Sequence, residues 1–524
     1  MNLRGNPYLG TAGVFLGAGI VSLSQRMQTV GLPDLRGALS LGVDEAAWVP
    51  TASNMALMFM GPFSVYLGAM LGPRRVLLAS GAVYAVVSLL LPHAPNLGVL
   101  IALQIVAGLT SGTFYPQSLT YALRALPPRY TIYAIGAYSM ELLSTLSIAT
   151  PLQAWCTEHG SWRWMFWASA VLTPIMMLCI YLAVPNPPPR EGPKPVVQWQ
   201  GFLYASLGFA LVQGALEQGE RLDWLGSPVI IAMLATGAFL VVAMIVQRWV
   251  FPNPLVDLSF LAQRNTLLLG FGLFSLRFTL LAVVYLIPAY LAVVQGYRPL
   301  ETGAVLVRLV LPALASGVLA ARLMQRIEGR AITGFGFAAV AFACLLDSRL
   351  TSVWSGETFW IPQIIVAVGL SFVFVGVIGM ISQQAIASGA VSRPFQALTY
   401  ASFFQVVRLL GGQVGTSALQ RIVTLRERFH SNMLGLNVRV GDWLTDDRLR
   451  SLSGGVFGGS VGLEDSQDRA RALLSLQISR EAYTLSYSDG FVVVAWLCAS
   501  FLVAIACLRQ MKIYFDAPLL EPSG

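Results

Sequence analysis

The sequence predicts an all-α polytopic membrane protein, and three observations carry that expectation. From about residue 10 to residue 508 the chain is a row of apolar segments, each roughly the 20 residues a helix needs to cross a bilayer. Hydrophobic residues make up 56% of its 524 residues and charged residues only 11%. The joints between segments are mostly short and polar. A soluble chain of this length would form roughly three domains, but apolar runs this long and this frequent do not build separate soluble cores.

Taken in order, the spans fall near 10–32, 46–70, 75–92, 96–122, 131–154, 163–184, 200–217, 227–249, 267–294, 302–325, 331–348, 358–385, 395–420 and 486–508, about fourteen in all. The first has no small-residue cleavage site behind it and is read as a retained helix. With the N-terminus cytoplasmic, alternate loops hold Arg74, Arg75, Arg124, Arg129, Arg190, Lys194, Arg248, Arg264, Arg322, Arg326, Arg330 and Arg393. With the termini that makes roughly fifteen basic residues against about five in the short opposite loops, so both termini are expected in the cytoplasm. The same bias accounts for the net charge of +8 without nucleic acid, since no basic cluster with interleaved aromatics is present.

Two connections differ from the rest. Residues 185–197 form a proline-rich linker, too stiff and polar for a helix. Residues 425–485 read as the one long extracytoplasmic loop, with a short amphipathic helix over Asp465–Arg480. That helix either lies on the protein's own surface or docks a partner. The five cysteines are scattered and offer neither a disulfide framework nor metal-binding spacing. No cofactor is expected. His93, His159 and His430 are isolated, the sequence holds none of the HExxH, GxxxxGKS or GxSxG motifs at a loop–helix junction, and no soluble stretch is long enough for a nucleotide-binding domain. An enzyme or ATP-driven pump is thereby disfavoured, which leaves an ion gradient as the energy source.

A weak internal symmetry points the same way. Leu67-Gly-Ala-Met-Leu-Gly-Pro-Arg-Arg-Val-Leu follows the second span and Ala320-Ala-Arg-Leu-Met-Gln-Arg-Ile-Glu-Gly-Arg-Ala the tenth, placing Gly and Arg in a tight turn at the same point of a six-span block. Repeated halves around a central site are the usual build of secondary transporters. Further segments carry a specific likeness: Leu32-Pro33 with Glu45-Ala-Ala-Trp48, Leu71-Gly-Pro-Arg-Arg-Val-Leu-Leu78, Ser161-Trp-Arg-Trp-Met-Phe166, Ala215-Leu-Glu-Gln-Gly-Glu220 with Trp224, Arg408-Leu-Leu-Gly-Gly-Gln-Val-Gly415 and Ser488-Asp-Gly-Phe491. In order and spacing they resemble the fourteen-span drug:proton antiporters of the major facilitator superfamily, the EmrB/QacA group. The resemblance implies a major facilitator fold of two six-helix bundles with two extra central helices. Its parts would be 1–184, then linker and extra helices at 185–250, then 251–524. The sequence departs from the group's pattern at Ala69 and Ser24, where Asp is usual, at Gln104 and Ala107 before Gly108, and at Ala149-Thr-Pro-Leu-Gln-Ala154, where the group has Gly-Pro-x-x-Gly-Gly. These are places where the group normally couples protons and bends helices.

Charges inside spans cost several kcal/mol unless paired or hydrated, which makes them functional candidates. They are Arg26, Glu141, Arg277, Arg308 and Arg408, with Glu141 the one acid expected near mid-depth and Asp489 expected to cap the last span. Glu141 either makes a static salt bridge, with Arg308 the natural partner, or binds a proton that an arginine and an anionic substrate regulate. Arg26 is the foremost candidate for substrate contact. The excess of arginine favours acidic, aromatic substrates. Met55, Met58, Phe59, Phe63, Tyr138, Phe274, Tyr285, Phe372, Phe374 and Phe403 are candidate walls of an adaptable cavity, though each could equally pack helices. Gly72, Arg74 and Arg75 resemble a cytoplasmic gate, or serve topology alone.

The resemblance implies a secondary efflux transporter in the inner membrane, proton-coupled and drug-exporting, working by alternating access. A narrow exporter of organic anions, siderophores or metabolites is the alternative within transport. A transporter-like sensor or assembly partner that has lost coupling is the alternative outside it. Partners implied are lipid, protons, a small-molecule substrate and, in double-membrane bacteria, a membrane-fusion adaptor with an outer-membrane channel.

Overall fold

In the computed structural model of the chain the described residues are 5–126, 128–185, 200–250, 263–387, 394–439, 441–457 and 463–508. The proline-rich linker beyond Pro185, with Arg190 and Lys194, lies outside them, as does Arg393. Helix α1 (Pro7–Leu39) begins where the Asn6 side chain accepts the Tyr8 N–H and Pro7 takes the first helical position. Helices α2 (Val43–Leu71) and α3 (Pro73–Leu90) meet at Gly72, whose φ of 86° suits a residue without Cβ. There follow α4 (Leu97–Ser111), α5 (Phe114–Ala125), α6 (Pro128–His159), α7 (Trp164–Ala183), α8 (Gln200–Gln218) and α9 (Pro228–Val250). Then α10 (Arg264–Thr279) runs through a π-helical turn at Ala282–Leu286 into α11 (Ile287–Val293). Last come α12 (Pro299–Val307), α13 (Val310–Met324), α14 (Gly329–Asp347), α15 (Trp360–Ala387), α16 (Pro394–Gly435), α17 (Trp443–Phe457) and α18 (Leu463–Ala506). The described residues contain no strand.

A helix or a broken pair of helices covers each expected span. Eleven helical segments among the described residues are long and apolar enough to cross a membrane. Helices α8 and α16, which carry Glu217 and Arg408 within their apolar runs, are not among the eleven, and neither is α2, which carries Asn54. Polar residues are tolerated in such helices where they face the protein rather than lipid. Helix α9 is the opposite case: its apolar window has a mean hydropathy of 2.8 and is only 11% buried, as a lipid-facing helix requires.

Helices α1–α7 pack on one another, and α10–α18 form a second group in which α15 is the most enclosed. The groups meet along two seams. On one, α6 lies against α12, α13 and α15; on the other, α2 lies against α16. Gly136 of α6 faces Gly317 and Ala321, and Gly303 of α12 faces Pro151, where a Cβ would fall 2.6 Å from the proline Cβ. The first seam is thus closed towards both ends of α6. Helix α8 packs on α2 and on α16, and so touches both groups.

The described residues of 425–485 are mostly helical rather than irregular. Helix α16 continues to Gly435, and the amphipathic stretch Asp465–Arg480 is the first half of α18, continuous with the last span. Buried Leu419, Val423, Ala470 and Ala482 keep these extensions packed beyond the apolar region, with α17 against α18. Asp489 does not cap a helix start either. It sits inside α18 and accepts hydrogen bonds from Arg426 Nε at 2.6 Å and His430 Nε2 at 2.8 Å.

Candidate functional site

The two groups of helices enclose an aromatic and cationic centre. Tyr138 of α6 has Phe15 of α1 at 5.4 Å, Tyr115 of α5 at 5.1 Å and Phe374 of α15 at 5.6 Å between ring centroids. The Arg408 guanidinium of α16 lies 3.3 Å from the Tyr115 ring centroid, a desolvated cation–π contact worth about 2 kcal/mol. Arg408 Nε donates to Gln405 Oε1 at 3.1 Å. Arg277 of α10 is near enough to act electrostatically on Arg408 and Tyr115, and it packs on Gly412. Its Nε is buried without a hydrogen-bond partner, as is the hydroxyl of Tyr138. No carboxylate forms an ion pair with Arg26, Arg277 or Arg408 among the described residues.

Glu141 of α6 sits beside this centre, against Gly19 of α1. Its Oε1 accepts from Thr145 Oγ1 at 3.1 Å, and its Oε2 is buried without a partner. The expected bridge to Arg308 is not formed. Arg308 lies at the break between α12 and α13, where its side chain turns outward to Glu357, with Nη1 at 2.7 Å from Oε2. Glu357 is an exposed loop residue whose carboxyl the Arg308 hydrogen bond holds below its ordinary range. Arg308 is thereby separated from the central charges.

Arg26 of α1 donates from Nε to Thr150 Oγ1 at 3.2 Å and lines a cavity with Leu143, Ser147, Val284, Leu309 and Leu370. This space between the two groups is about 20 Å³, room for one water rather than a substrate. The seam at Arg26 is therefore closed. A guanidinium, apolar walls and two further arginines behind aromatic rings can hold an amphipathic anion once the cavity opens. Buried cations without counter-charge are stabilised by such a ligand.

Most of the expected wall residues serve helix contacts instead. Met55 packs on Gly214 of α8, Phe59 and Met58 belong to a small apolar cluster with Ala210 and Val406, and Phe63 stacks beside Tyr66 at 5.8 Å. Phe274 packs on Gly411, Phe403 on Gly270, and Phe372 meets Phe335 at 5.1 Å. Tyr285 lies in the π-helical turn, within electrostatic reach of Glu220 and Tyr483. Tyr138 and Phe374 alone of that set join the centre. Gly72 forms the α2–α3 turn, while Arg74 Nη2 donates to the Tyr181 carbonyl of α7 at 2.8 Å and Arg75 is exposed. These bonds hold the turn within its own helix group.

Sequence reasoning missed Tyr115, Gln405 and Glu217. An aromatic just after the Gly112 break between α4 and α5 was a usable signal for Tyr115. Glu217 was hidden by its neighbours Gly219 and Glu220, which read as loop, whereas α8 extends through Gln218.

Helices of membrane-spanning length, arranged in two groups around a charged, closable centre, define a membrane transporter. The chain belongs to the major facilitator superfamily, whose family model matches residues 14–416. It is similar to the probable multidrug resistance protein EmrY of Escherichia coli K12, 25% identical over 79% of this chain and 79% of that protein. The multidrug export protein EmrB of the same strain is 24% identical over 94% of this chain and 93% of its own. The fatty acid resistance protein FarB of Neisseria gonorrhoeae is 24% identical over 78% and 79%.

Proposed function

We propose that the protein is a proton-coupled exporter of small amphipathic anions, working by alternating access between its two helix groups. The observation that carries this reading is the pair Arg277 and Arg408, behind Tyr115 and without a carboxylate ion pair among the described residues. An uncompensated buried cation is costly, and an anionic ligand at the seam offsets that cost. Glu141, with one free buried oxygen, is the proton carrier of the reading. The names of the relatives are consistent with it: EmrB is a multidrug export protein, and FarB is named for resistance to fatty acids, which are amphipathic anions.

The architecture that goes with this function has fourteen crossings, both termini in the cytoplasm of an inner membrane, and helix groups at 1–184 and 251–524 joined by 185–250. A membrane-fusion adaptor is the proposed partner of the α16–α18 extension. There Leu425, Phe429 and Met433 expose an apolar stripe at helical spacing along α16, with exposed Leu436 just past its end.

The test is transport by purified protein in liposomes under an imposed pH gradient, with laurate, a neutral amphipath and a lipophilic cation as substrates. Uphill movement of laurate that an uncoupler abolishes supports the proposal. Equal transport of the cation, or transport indifferent to the gradient, refutes it. Glu141→Gln is expected to keep laurate binding and lose the response to the gradient.

A further inference from the structure

A second carboxylate lies outside the central site, on the accessory helix α8. Glu217 is mostly buried against α2 and has no cationic partner among the described residues. Both of its oxygens accept from one amide nitrogen, Asn54 Nδ2, at 3.0 and 3.2 Å. Asn54 Oδ1 in turn accepts from Gln25 Nε2 of α1 at 2.9 Å. The next residue of α1 is Arg26, which lines the central cavity. Three helices are thus linked in one direction of hydrogen-bond donation, from α1 through α2 to α8.

We propose that Glu217 is a second proton-binding site of the transport cycle, and that its protonation is relayed through Asn54 and Gln25 to α1 beside Arg26. The change in donors and acceptors at Glu217 drives the relay. An ionised carboxylate accepts only, and the Asn54 amino group supplies what it needs. On protonation one Glu217 oxygen becomes a donor facing the Asn54 amino group, while the other still accepts. The new donor gains a partner when the Asn54 amide turns to present its oxygen, which points the amino group at the Gln25 amino group. Gln25 then turns in its own right, and α1 changes its contact with α2. The proton adds to one carboxylate oxygen and no other bond forms or breaks.

The ionised groups around Glu217 are occupied elsewhere. On α8 itself Glu220 pairs with Arg421 of α16 at 3.6 Å, and the Arg221 of the following turn pairs with Asp44 of α2. On α1, Arg26 is bonded to Thr150. On α16, Arg408 lies on Tyr115. Within α9 the only charged residue is Arg248, near its far end. What remains around the carboxyl is Asn54 and the neighbouring Thr51 hydroxyl.

This inference rests on the proton-coupled reading, and two measurements separate them. Infrared difference spectra of the purified protein between acid and alkaline pH report carboxyl protonation directly, without a substrate. Glu217→Gln is expected to remove one band of the protonated-carboxyl region and Glu141→Gln a different one. In liposomes, Glu217→Gln should lower pH-gradient-driven laurate export roughly 10-fold, the size of one coupling interaction. Asn54→Leu should keep the infrared band and lose the same coupling, which a merely structural Glu217 would not produce. Glu217→Asp serves if the glutamine variant does not fold, and should retain a shifted band. An infrared spectrum that Glu217→Gln and Glu217→Asp leave unaltered overturns the proposal. Absence of gradient-driven export by the unmodified protein overturns the export reading while leaving the infrared result to stand on its own.

Discussion

Replacing Arg408 by Gln separates a ligand-binding cation from a structural one. The substitution keeps a side chain able to hydrogen-bond Gln405, removes the charge, and removes the cation–π contact with Tyr115. If the guanidinium meets a substrate anion in a desolvated seam, losing one partner of such a pair costs about 2–5 kcal/mol. At 1.4 kcal/mol per decade the lower bound corresponds to roughly 30-fold weaker laurate binding. The folded protein loses the contact worth about 2 kcal/mol but also sheds a buried charge without an ion-pair partner, so thermal stability should hardly change. Tryptophan-fluorescence titration in nanodiscs with laurate and a lipophilic cation, beside a thermal-unfolding scan, reads all three quantities. Cation binding should stay equal or strengthen. A parallel loss for laurate and the cation, together with a large drop in unfolding temperature, would refute the reasoning and make Arg408 a structural residue.

Charge reversal at Arg26 to Glu should selectively abolish resistance to acidic compounds in cells; equal loss for cations would indicate misfolding. Glu357→Gln, which breaks only the outward pair with Arg308, should leave transport rates unchanged in liposomes. Gly303→Leu forces α12 away from Pro151 and should destabilise the closed seam by about 1–3 kcal/mol, visible as slower disulfide cross-linking between cysteines placed on α6 and α12. Phe429→Ser with Met433→Ser should weaken co-purification of a membrane-fusion adaptor while liposome transport persists. Unchanged co-purification would remove the α16 stripe as its dock.

Much of the fold was legible because membrane insertion reads local properties. An apolar run of about 20 residues is helical wherever it goes, since lipid offers its backbone no other hydrogen-bond partner. The same logic failed at 425–485, where polar residues suggested a loop. There the α16 and α18 helices continue, held together by buried Leu419, Val423 and Ala482 and by the bonds of Asp489 to Arg426 and His430. Contacts of that kind join residues about 60 positions apart, and no local pattern announces them.

The candidate site divides along the same line. Arg26, Glu141, Arg277 and Arg408 were recognisable one by one, because an ionisable residue in an apolar segment stands out by its solvation cost. Their pairing was not recognisable. Arg308 belongs to Glu357, Arg408 to the Tyr115 ring, and Glu217 to Asn54, because helix packing sets which side chains meet. By itself, then, the sequence determined the spanning helices, the family and the inventory of buried charge, all consequences of local hydropathy and motif. Only the tertiary structure decided which charges stand unpaired at the seam and which helix carries the second carboxylate. Those depend on distances between segments far apart in the chain.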